Sequence, residues 1–275
     1  MKVECVICPH HCKLEEGMPG LCHGRINRMG QVVSENYGKL TAMALDPIEK
    51  KPLYHFHPGS RILSIGSYGC NLNCPFCQNC DISMAGGKEI EYQKTTLEEL
   101  VEKALQYKSH GNIGIAYTYN EPLIGYEFVY DCAKLIKKAG LKNVVVTNGY
   151  INEEPLLELL PLIDAFNIDL KGFTEEYYHK LRGDLATVKQ SIRLAAAECH
   201  VEVTTLIVPG ENDSEEEMDS LSGWLATVNP SIPLHISRFF PRFRMQDRAS
   251  TPVEKVYRLA KVARRNLVHV HEGNV

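Results

Sequence analysis

The sequence predicts an α/β fold built around a curved, partly open barrel of parallel strands. From residue 59 onward, short runs rich in β-branched residues alternate with amphipathic helical patterns, which is typical of βαβ units. Two runs, 144–146 and 206–208, are apolar throughout, as expected for parallel strands that are buried on both faces. The alternation repeats six times, which favours a partial (β/α)6 TIM-like barrel over a flat doubly wound sheet.

The individual elements follow from apolar periodicity and from capping residues. The predicted strands cover 61–68, 113–118, 143–147, 164–170, 200–208, 232–237 and 267–270. The predicted helices cover 95–109, 122–139, 153–161, 174–182, 186–198, 214–228 and 252–264. Thr95 and Thr96 lie shortly before two acidic residues, which indicates the start of a helix. Gly140 follows an apolar helical pattern and indicates the end of one.

The chain divides by composition at about residue 58. Residues 1–58 are rich in Cys, His, Gly and Pro and contain few long apolar runs. We expect an irregular, Cys-rich, metal-binding segment there, which depends on a bound metal or on contact with the barrel. Residues 59–275 then form the barrel domain.

Composition excludes several classes of protein. No apolar run approaches the ~20 residues needed to span a bilayer. An acidic residue and cysteines interrupt the N-terminal region where a signal peptide would be apolar, so we expect a cytoplasmic protein. The net charge of −4 offers no general attraction for nucleic acid.

The chain contains ten cysteines. Because disulfide frameworks are rare in the cytosol, metal binding is the better interpretation of these cysteines. Cys132 falls in a predicted helix and Cys199 before a predicted strand, which suits core residues. The other eight form two groups. One consists of Cys5, Cys8, Cys12 and Cys22, and the other of Cys70, Cys74, Cys77 and Cys80.

Within the second group, Cys70, Cys74 and Cys77 have the spacing C-x3-C-x2-C. Three thiolates on one short loop hold three irons of a [4Fe–4S] cluster and leave the fourth iron without a protein ligand. Such an open iron binds and transforms a small molecule, which indicates an enzyme rather than an electron carrier. The alternative is a structural zinc site in which Cys80 supplies the fourth thiolate.

The N-terminal group, Cys5, Cys8, Cys12 and Cys22, favours a structural zinc ion, since four ligands that open with C-x2-C suit tetrahedral coordination. One of three nearby histidines could replace a cysteine; these are His10, His11 and His23. An auxiliary iron–sulfur cluster is the alternative.

Polar residues recur where each predicted strand ends. In a parallel barrel the carboxyl ends of the strands share one face, where active sites form. The strand ends carry Gly69-Cys70, Tyr119-Asn120-Glu121-Pro122, Thr147-Asn148-Gly149, Asp169-Leu170-Lys171, Val208-Pro209-Gly210 and the run from His235 to Arg238. This pattern is independent of the cysteines and predicts a single shared site.

These residues resemble a known family. The triplet, with Phe76 before its last cysteine, is similar to that of the radical S-adenosylmethionine (SAM) superfamily. Within it, the chain resembles the radical SAM enzymes of the AmmeMemoRadiSam system, relatives of pyruvate formate-lyase activating enzymes. The matching stretches begin at Cys5, Gly17, Asp46 (Asp-Pro-Ile-Glu-Lys-Lys-Pro-Leu), Gly69, Tyr117, Thr147, Asn167, Val208 and Gly273.

The resemblance implies a reaction and its partners. The open iron would bind SAM, and one electron would cleave SAM to methionine and a 5′-deoxyadenosyl radical that abstracts hydrogen from a substrate. A flavodoxin or ferredoxin would supply the electron. Memo-family and AMMECR-type proteins are the implied partners, and the substrate is unknown. Activation of a glycyl-radical enzyme is an alternative, and a non-catalytic zinc or iron–sulfur protein is an alternative of another class.

The resemblance also assigns roles to single residues. It implies that Phe76 and Val208 lie near the adenine of SAM and that Glu121, next to Asn120, binds the SAM amino group. It further implies that Thr147 and Asn148 lie near the ribose or methionine end of SAM. The implied catalytic residues are Asp169, Lys171 and His235. The activating enzymes have Asp where this chain has Val146.

Each site residue has an ordinary alternative. Glu121 could be a helix-start acid, and Asp169 with Lys171 a surface ion pair of little energetic value. A histidine such as His235 is more often a core residue than a catalyst. The basic-aromatic run 238–248 could dock a substrate, but a solvated loop packed by its own phenylalanines is the favoured interpretation.

Overall fold

A computed structural model describes residues 2–275. Its strands are β1 (Val3–Glu4), β2 (Lys13–Leu14), β3 (Arg25–Arg28), β4 (Gln31–Ser34), β5 (Lys39–Leu40), β6 (Ala42–Pro47), β7 (Arg61–Gly66), β8 (Gln93–Lys94), β9 (Asn112–Tyr117), β10 (Lys142–Thr147), β11 (Ala165–Asp169), β12 (His200–Ile207), β13 (Leu234–Arg238) and β14 (Val270–Gly273). Its α-helices are α1 (Cys80–Ser83), α2 (Leu97–Gln106), α3 (Tyr126–Lys138), α4 (Glu153–Leu159), α5 (Glu175–Lys180), α6 (Leu185–Glu198), α7 (Glu215–Val228) and α8 (Val253–Ala263). Short 3₁₀ helices cover Ile48–Lys50, Tyr107–His110, Pro122–Gly125 and Leu160–Leu162.

Eight of the strands form one sheet in the order β14-β13-β12-β11-β10-β9-β7-β6. Every neighbouring pair from β7 to β14 is parallel, and β6 joins β7 antiparallel at one edge. Each of the six strands β7, β9, β10, β11, β12 and β13 is followed by a helix. The predicted α/β class and partial (β/α)6 barrel are therefore confirmed.

Helix caps explain where several helices begin. Thr96 and Glu99 form a reciprocal capping box at the start of α2, with Thr96 Oγ1 accepting from the Glu99 N–H at 3.2 Å. The Ser214 hydroxyl caps α7 by accepting from the Glu217 N–H at 3.0 Å. No helix within residues 2–275 has the length and apolar character required to cross a bilayer.

Two details differ from the sequence expectation. The predicted helix 122–139 starts as a 3₁₀ turn, Pro122–Gly125, before α3 begins at Tyr126. The predicted last strand 267–270 is instead Val270–Gly273, because its register is set by pairing with β13, Leu234 opposite Val270.

The N-terminal residues are more regular than expected. Residues 2–58 contain six short strands, so the expectation of an irregular segment is wrong for these stretches. β6 pairs with β7 over its whole length, from Ala42 opposite Gly66 to Pro47 opposite Arg61. This part of the N-terminal segment therefore extends the barrel sheet, a long-range pairing that local sequence patterns do not reveal.

Candidate active site

A cleft of about 370 Å³ opens at the carboxyl ends of the strands. Residues at or just beyond the ends of β7, β9, β10 and β11 meet here, together with residues of β12 and β13. The predicted site residues that line it are Cys70, Cys74, Phe76, Cys77, Asn120, Glu121, Thr147, Asn148, Asp169 and Lys171.

Cys70, Cys74 and Cys77 lie together on the loop after β7. The Cys77 N–H donates to the Cys74 carbonyl at 3.2 Å, which folds the loop tightly. The Cys70 sulfur accepts from the Leu72 N–H at 3.4 Å and from Asn148 Nδ2 at 3.6 Å. Burial raises the pKa of all three thiols, for Cys74 to about 12. Thiols on one loop, with Cys74 buried and Cys70 and Cys77 partly buried, fit a metal cluster whose positive charge would favour the thiolates. The two N–H donors at the Cys70 sulfur suit a thiolate as well.

Glu121 is the centre of a hydrogen-bond network at the wall of the cleft. Its Oε1 accepts from Thr147 Oγ1 at 2.7 Å and from the Leu123 N–H at 3.0 Å. Its Oε2 accepts from the Asn148 N–H at 2.8 Å. Burial raises the pKa of this carboxyl to about 7, against the lowering effect of these donors. The three bonds leave about one of its four acceptor positions for a ligand.

The polar atoms of the Asn120 side chain bond to the backbone at the start of the cysteine loop. Its Oδ1 accepts from the Ser67 N–H at 2.9 Å, and its Nδ2 donates to the carbonyls of Tyr68 and Gly69, each at 3.1 Å. Asn120 therefore fixes the entry to the cysteine loop. A glycine at this position would have no side chain to make these bonds.

Asn148 connects the β10 end to the cysteine loop. Beyond its contact with sulfur, its Nδ2 donates to Asn71 Oδ1 at 2.9 Å, and its Oδ1 accepts from the Tyr150 N–H at 2.8 Å. Thr147 and Asn148 thus hold Glu121 and the triplet in fixed relation.

Asp169 and Lys171 form an ion pair of 2.6 Å at the end of β11. Burial opposes the charge on Lys171, but Asp169 and the thiolate forms of Cys74 and Cys77 together raise its pKa. The Lys171 N–H also donates to Tyr178 Oη at 3.0 Å. This pair faces the cleft and is not an exposed surface contact.

Phe76 lines the cleft from a buried position, whereas two other predicted residues lie away from it. Phe76 is buried and stacks on Tyr177 with ring centres 6.5 Å apart. Val208 is fully buried just beyond β12 and does not line the cleft. His235 also lies away from the cleft lining, because β13 begins at Leu234 and His235 is near its amino end. Its Nε2 is 2.6 Å from Oε2 of the buried Glu202.

Cys80, the possible fourth ligand, begins α1 and does not line the cleft. Its sulfur contacts Asp81 Oδ1 at 3.7 Å. As the side chains of residues 2–275 are placed, no group of three or more His, Cys, Asp or Glu residues has the geometry to hold a metal ion.

The run 238–248 packs against the cysteine loop. The Arg244 N–H donates to the Pro75 carbonyl at 2.9 Å, and Gln78 Nε2 donates to the Phe240 carbonyl at 3.3 Å. Arg242 forms an ion pair with Asp81 at 2.7 Å. The loop therefore covers one side of the triplet.

The N-terminal cysteines are packed beside this same loop. A Cβ atom placed on Gly20 would lie 3.8 Å from the sulfurs of both Cys12 and Cys22. The Cys22 carbonyl accepts from the Cys70 N–H at 3.1 Å. Burial raises the pKa of Cys22 to about 12. The first two cysteines of the group, Cys5 and Cys8, are buried too, and the Asn71 side chain donates a hydrogen bond to the Cys8 sulfur.

Sequence reasoning missed Lys50 and Lys51, which line the cleft together with Tyr119 of the predicted strand-end run. The stretch Asp46-Pro-Ile-Glu-Lys-Lys-Pro-Leu matches the resembled family, and this match is the sequence feature that points to Lys50 and Lys51.

Comparison with known proteins decides the family. The model of the radical SAM superfamily matches residues 64–221, which include the triplet and most of the barrel. The chain belongs to the radical SAM superfamily. Members are typically enzymes, and membership implies a [4Fe–4S] cluster and SAM as cofactors.

Relatives of this radical SAM protein include two kinds of sequence. An uncharacterized protein of Methanocaldococcus jannaschii is 41% identical over 277 residues, spanning 100% of this chain and 82% of the relative. Pyruvate formate-lyase 1-activating enzyme of Escherichia coli K12 is 29% identical over 172 residues, spanning 60% of this chain and 68% of that enzyme. The homology to activating enzymes is thereby confirmed.

Solved structures show the same fold at low sequence identity. Streptococcus suis SuiB bound to S-adenosylmethionine has a TM-score of 0.59 at 12% identity, covering 77% of this chain and 51% of SuiB. A domain of pyruvate-formate lyase-activating enzyme from Bacteroides vulgatus has a TM-score of 0.51 at 20% identity, covering 58% of this chain and 99% of that domain.

Proposed function

We propose that this protein is a radical SAM enzyme whose cluster is bound by Cys70, Cys74 and Cys77. The observation that carries the proposal is the convergence of these thiols with Glu121 and Lys171 in one cleft. The reduced cluster would supply the electron that cleaves SAM to methionine and a 5′-deoxyadenosyl radical, which abstracts a hydrogen atom from the substrate.

The residues of the cleft would bind and orient SAM. Glu121, with one acceptor position left, would take a hydrogen from the SAM amino group. Thr147 and Asn148 would hold Glu121 in place and contact the ribose or methionine end. Phe76 and Val208 would shape the adenine side, Phe76 from the cleft lining and Val208 from behind it.

Asp169 and Lys171 are the proposed catalytic pair. Lys171 lies close enough to Cys74 and Cys77 for their negative charge to raise its pKa, so it would offset charge at the cluster. Asp169 would hold this ammonium in place and face the substrate. His235 is not included in this role, because its ring nitrogen is engaged by Glu202.

The finer proposal is membership of the AmmeMemoRadiSam system, with Memo-family and AMMECR-type partners and a flavodoxin or ferredoxin as reductant. It is supported by the stretches of this chain that resemble that system, among them those that begin at Cys5, Gly17 and Asp46. The relative from Methanocaldococcus jannaschii shows in addition that similarity extends over the whole length of this chain. The activating enzymes of Escherichia coli and Clostridium pasteurianum match 60% and 62% of this chain. Activation of a glycyl-radical enzyme is the second candidate, favoured by that partial homology.

For the four cysteines of residues 1–58 we propose a metal-binding role of their own, separate from the cleft; β6 of the same stretch joins the sheet of the barrel, residues 59–275. Three of the four cysteines are buried, and Cys12 and Cys22 share the space beside Gly20. A structural zinc ion is the first expectation and an auxiliary [4Fe–4S] cluster the second. Metal analysis separates these, and zinc alone at both cysteine groups would instead support a non-catalytic metal-binding protein.

The test of the main proposal is SAM cleavage. Protein reconstituted anaerobically with iron and sulfide is incubated with SAM and dithionite, and 5′-deoxyadenosine is measured by chromatography. We expect its formation to depend on both reagents. No product above that of the Cys77→Ala variant would reject the proposal. A glycyl-radical signal on a candidate partner protein would favour the activating-enzyme alternative.

A further inference from the structure

The amino end of the barrel is closed by residues 48–57, which we call the floor segment. Because β6 runs antiparallel to β7, Pro47 lies opposite Arg61, and the chain leaves β6 at the amino ends of the parallel strands. Ile48 and Leu53 are fully buried there. They form a separate apolar cluster with Phe56, Ile62, Ala116, Val144 and Ala165, which come from the floor segment and from four successive strands.

Polar contacts fix the floor segment across the barrel. The Pro52 carbonyl accepts from Asn167 Nδ2 of β11 at 2.8 Å. The N–H groups of Tyr54 and His55 donate to the buried Glu202 carboxylate of β12, at 3.0 and 2.7 Å. The cleft therefore ends on a fixed segment and is not a channel through the barrel.

Lys51 points from this floor into the cleft. The residue is 3% exposed, and its Nζ lies 2.9 Å from Asp46 Oδ2 and 4.6 Å from the centre of the Tyr119 ring. Asp46 also accepts from Lys50 Nζ at 3.3 Å and from Tyr119 Oη at 2.7 Å. One carboxylate is thus shared by two ammonium groups and a phenol, which leaves one excess positive charge.

The other acids of the cleft do not balance this charge. Asp169 is paired with Lys171, and Glu121 accepts from Thr147 and two backbone N–H groups. Asp46 is the one acceptor within residues 2–275 for the Lys51 ammonium, which has three N–H donors. Burial lowers the pKa of Lys51 in spite of Asp46, so a further negative charge would stabilise the ammonium.

We infer that the substrate is a small molecule with a carboxylate or phosphate group, which binds Lys51 and Lys50 at the floor of the cleft. The inference rests on the proposed function, because it names the substrate class of that site. It favours a small anion over a backbone glycine, since the buried Lys51 ammonium has two N–H donors beyond the one that Asp46 takes, and an anion accepts them more strongly than a neutral peptide does.

Tyr119 holds this arrangement in place. Its φ of +71° is in the left-handed region, which is uncommon for a residue with a side chain. A Cβ on Gly66 would lie 2.8 Å from Tyr119 Cβ, so only glycine there admits this conformation. The strained backbone directs the phenol to Asp46, and the ring lies beside the Lys51 ammonium.

Ligand-observed NMR tests the inference with succinate as the anionic probe and succinamide as its neutral match. Reconstituted, SAM-loaded protein should give saturation transfer to succinate and none to succinamide. Lys51→Met should weaken succinate binding about tenfold or more, and Lys50→Met by a smaller factor, since each removes a charge-assisted hydrogen bond. Lys142→Met is the matched control, because Lys142 pairs with Asp164 outside the cleft lining.

Each outcome is decisive. No transfer to succinate, equal transfer to succinamide, or unchanged binding in a folded Lys51→Met variant would overturn the inference. If Lys51→Met does not fold, as judged by circular dichroism, the exposed Lys50→Met variant carries the test, and unchanged binding there is the contradicting result. Wild-type protein that binds succinate without forming 5′-deoxyadenosine would reject the proposed function instead.

Discussion

The two cysteine groups lie side by side, yet their surroundings differ. Cys70, Cys74 and Cys77 line a cleft that also contains an acid network and an ion pair, whereas none of the N-terminal four lines that cleft. The Cys22 carbonyl receives the Cys70 N–H, so the backbone alone joins the groups at this point. A metal at the triplet could reach a small molecule, and a metal at the N-terminal group would be enclosed by protein.

The largest expected effect concerns the triplet. Cys77→Ala should reduce 5′-deoxyadenosine formation by about 100-fold or more, because a cluster with two remaining thiolates is not retained. Iron content should fall in parallel, and circular dichroism should show that the variant remains folded, since Cys77 is only partly buried. Formation of 5′-deoxyadenosine at the wild-type rate would remove the distinction between the two groups.

The corresponding substitution in the N-terminal cysteine group should lower the stability of the fold. Cys22 is buried, and we expect Cys22→Ala to release the N-terminal metal and lower the melting temperature by about 4–8 °C, which corresponds to roughly 2 kcal/mol. SAM cleavage should persist in the folded fraction. If cleavage is lost without a change in melting temperature, the N-terminal group takes part in electron delivery instead.

The acid network of the cleft predicts a pH dependence for SAM binding. Burial raises the pKa of Glu121 to about 7, so the carboxyl is largely protonated at pH 6 and ionised at pH 8. Only the ionised form is a strong partner for the SAM amino group. Affinity should therefore rise with pH through this range, by at most about tenfold per unit.

Equilibrium dialysis at several pH values measures this dependence, and the Glu121→Gln variant is the control. That variant should bind SAM more weakly and with a flatter pH profile. A wild-type profile that falls between pH 6 and pH 8, or one that the variant reproduces, would contradict the role of Glu121.

Cys80 gives the smallest expected effect. Its sulfur contacts Asp81 outside the cleft lining, so Cys80→Ser should change iron content and SAM cleavage by less than about twofold. A large loss of metal in this variant would show that Cys80 is a ligand and that the triplet site is closed.

The sequence was informative about residues at strand ends. The run after β9 and the Asp-Leu-Lys run after β11 were recognisable because apolar strands stop abruptly at polar residues. Their convergence in one cleft follows from parallel strands whose carboxyl ends share a face. The predicted bounds of these elements lie within a few residues of the observed ones.

Contacts between distant parts of the chain were not predictable in this way. Tyr119 Oη reaches Asp46 across 73 residues, and the Asn167 side chain reaches Pro52 across 115. His235 was placed at the strand end by the family resemblance, but β13 runs to Arg238, so His235 lies three residues before its end, about 10 Å along the strand. Such errors are small in sequence and large in space.

The central claim, that the triplet leaves an iron open for SAM, is tested most directly by electron paramagnetic resonance. The dithionite-reduced protein is examined with and without SAM, in wild-type and Cys80→Ser forms. We predict a reduced [4Fe–4S] signal whose g values shift when SAM is added, with hyperfine broadening from SAM labelled at its carboxylate oxygens. A spectrum that SAM leaves unchanged in both forms would contradict the claim.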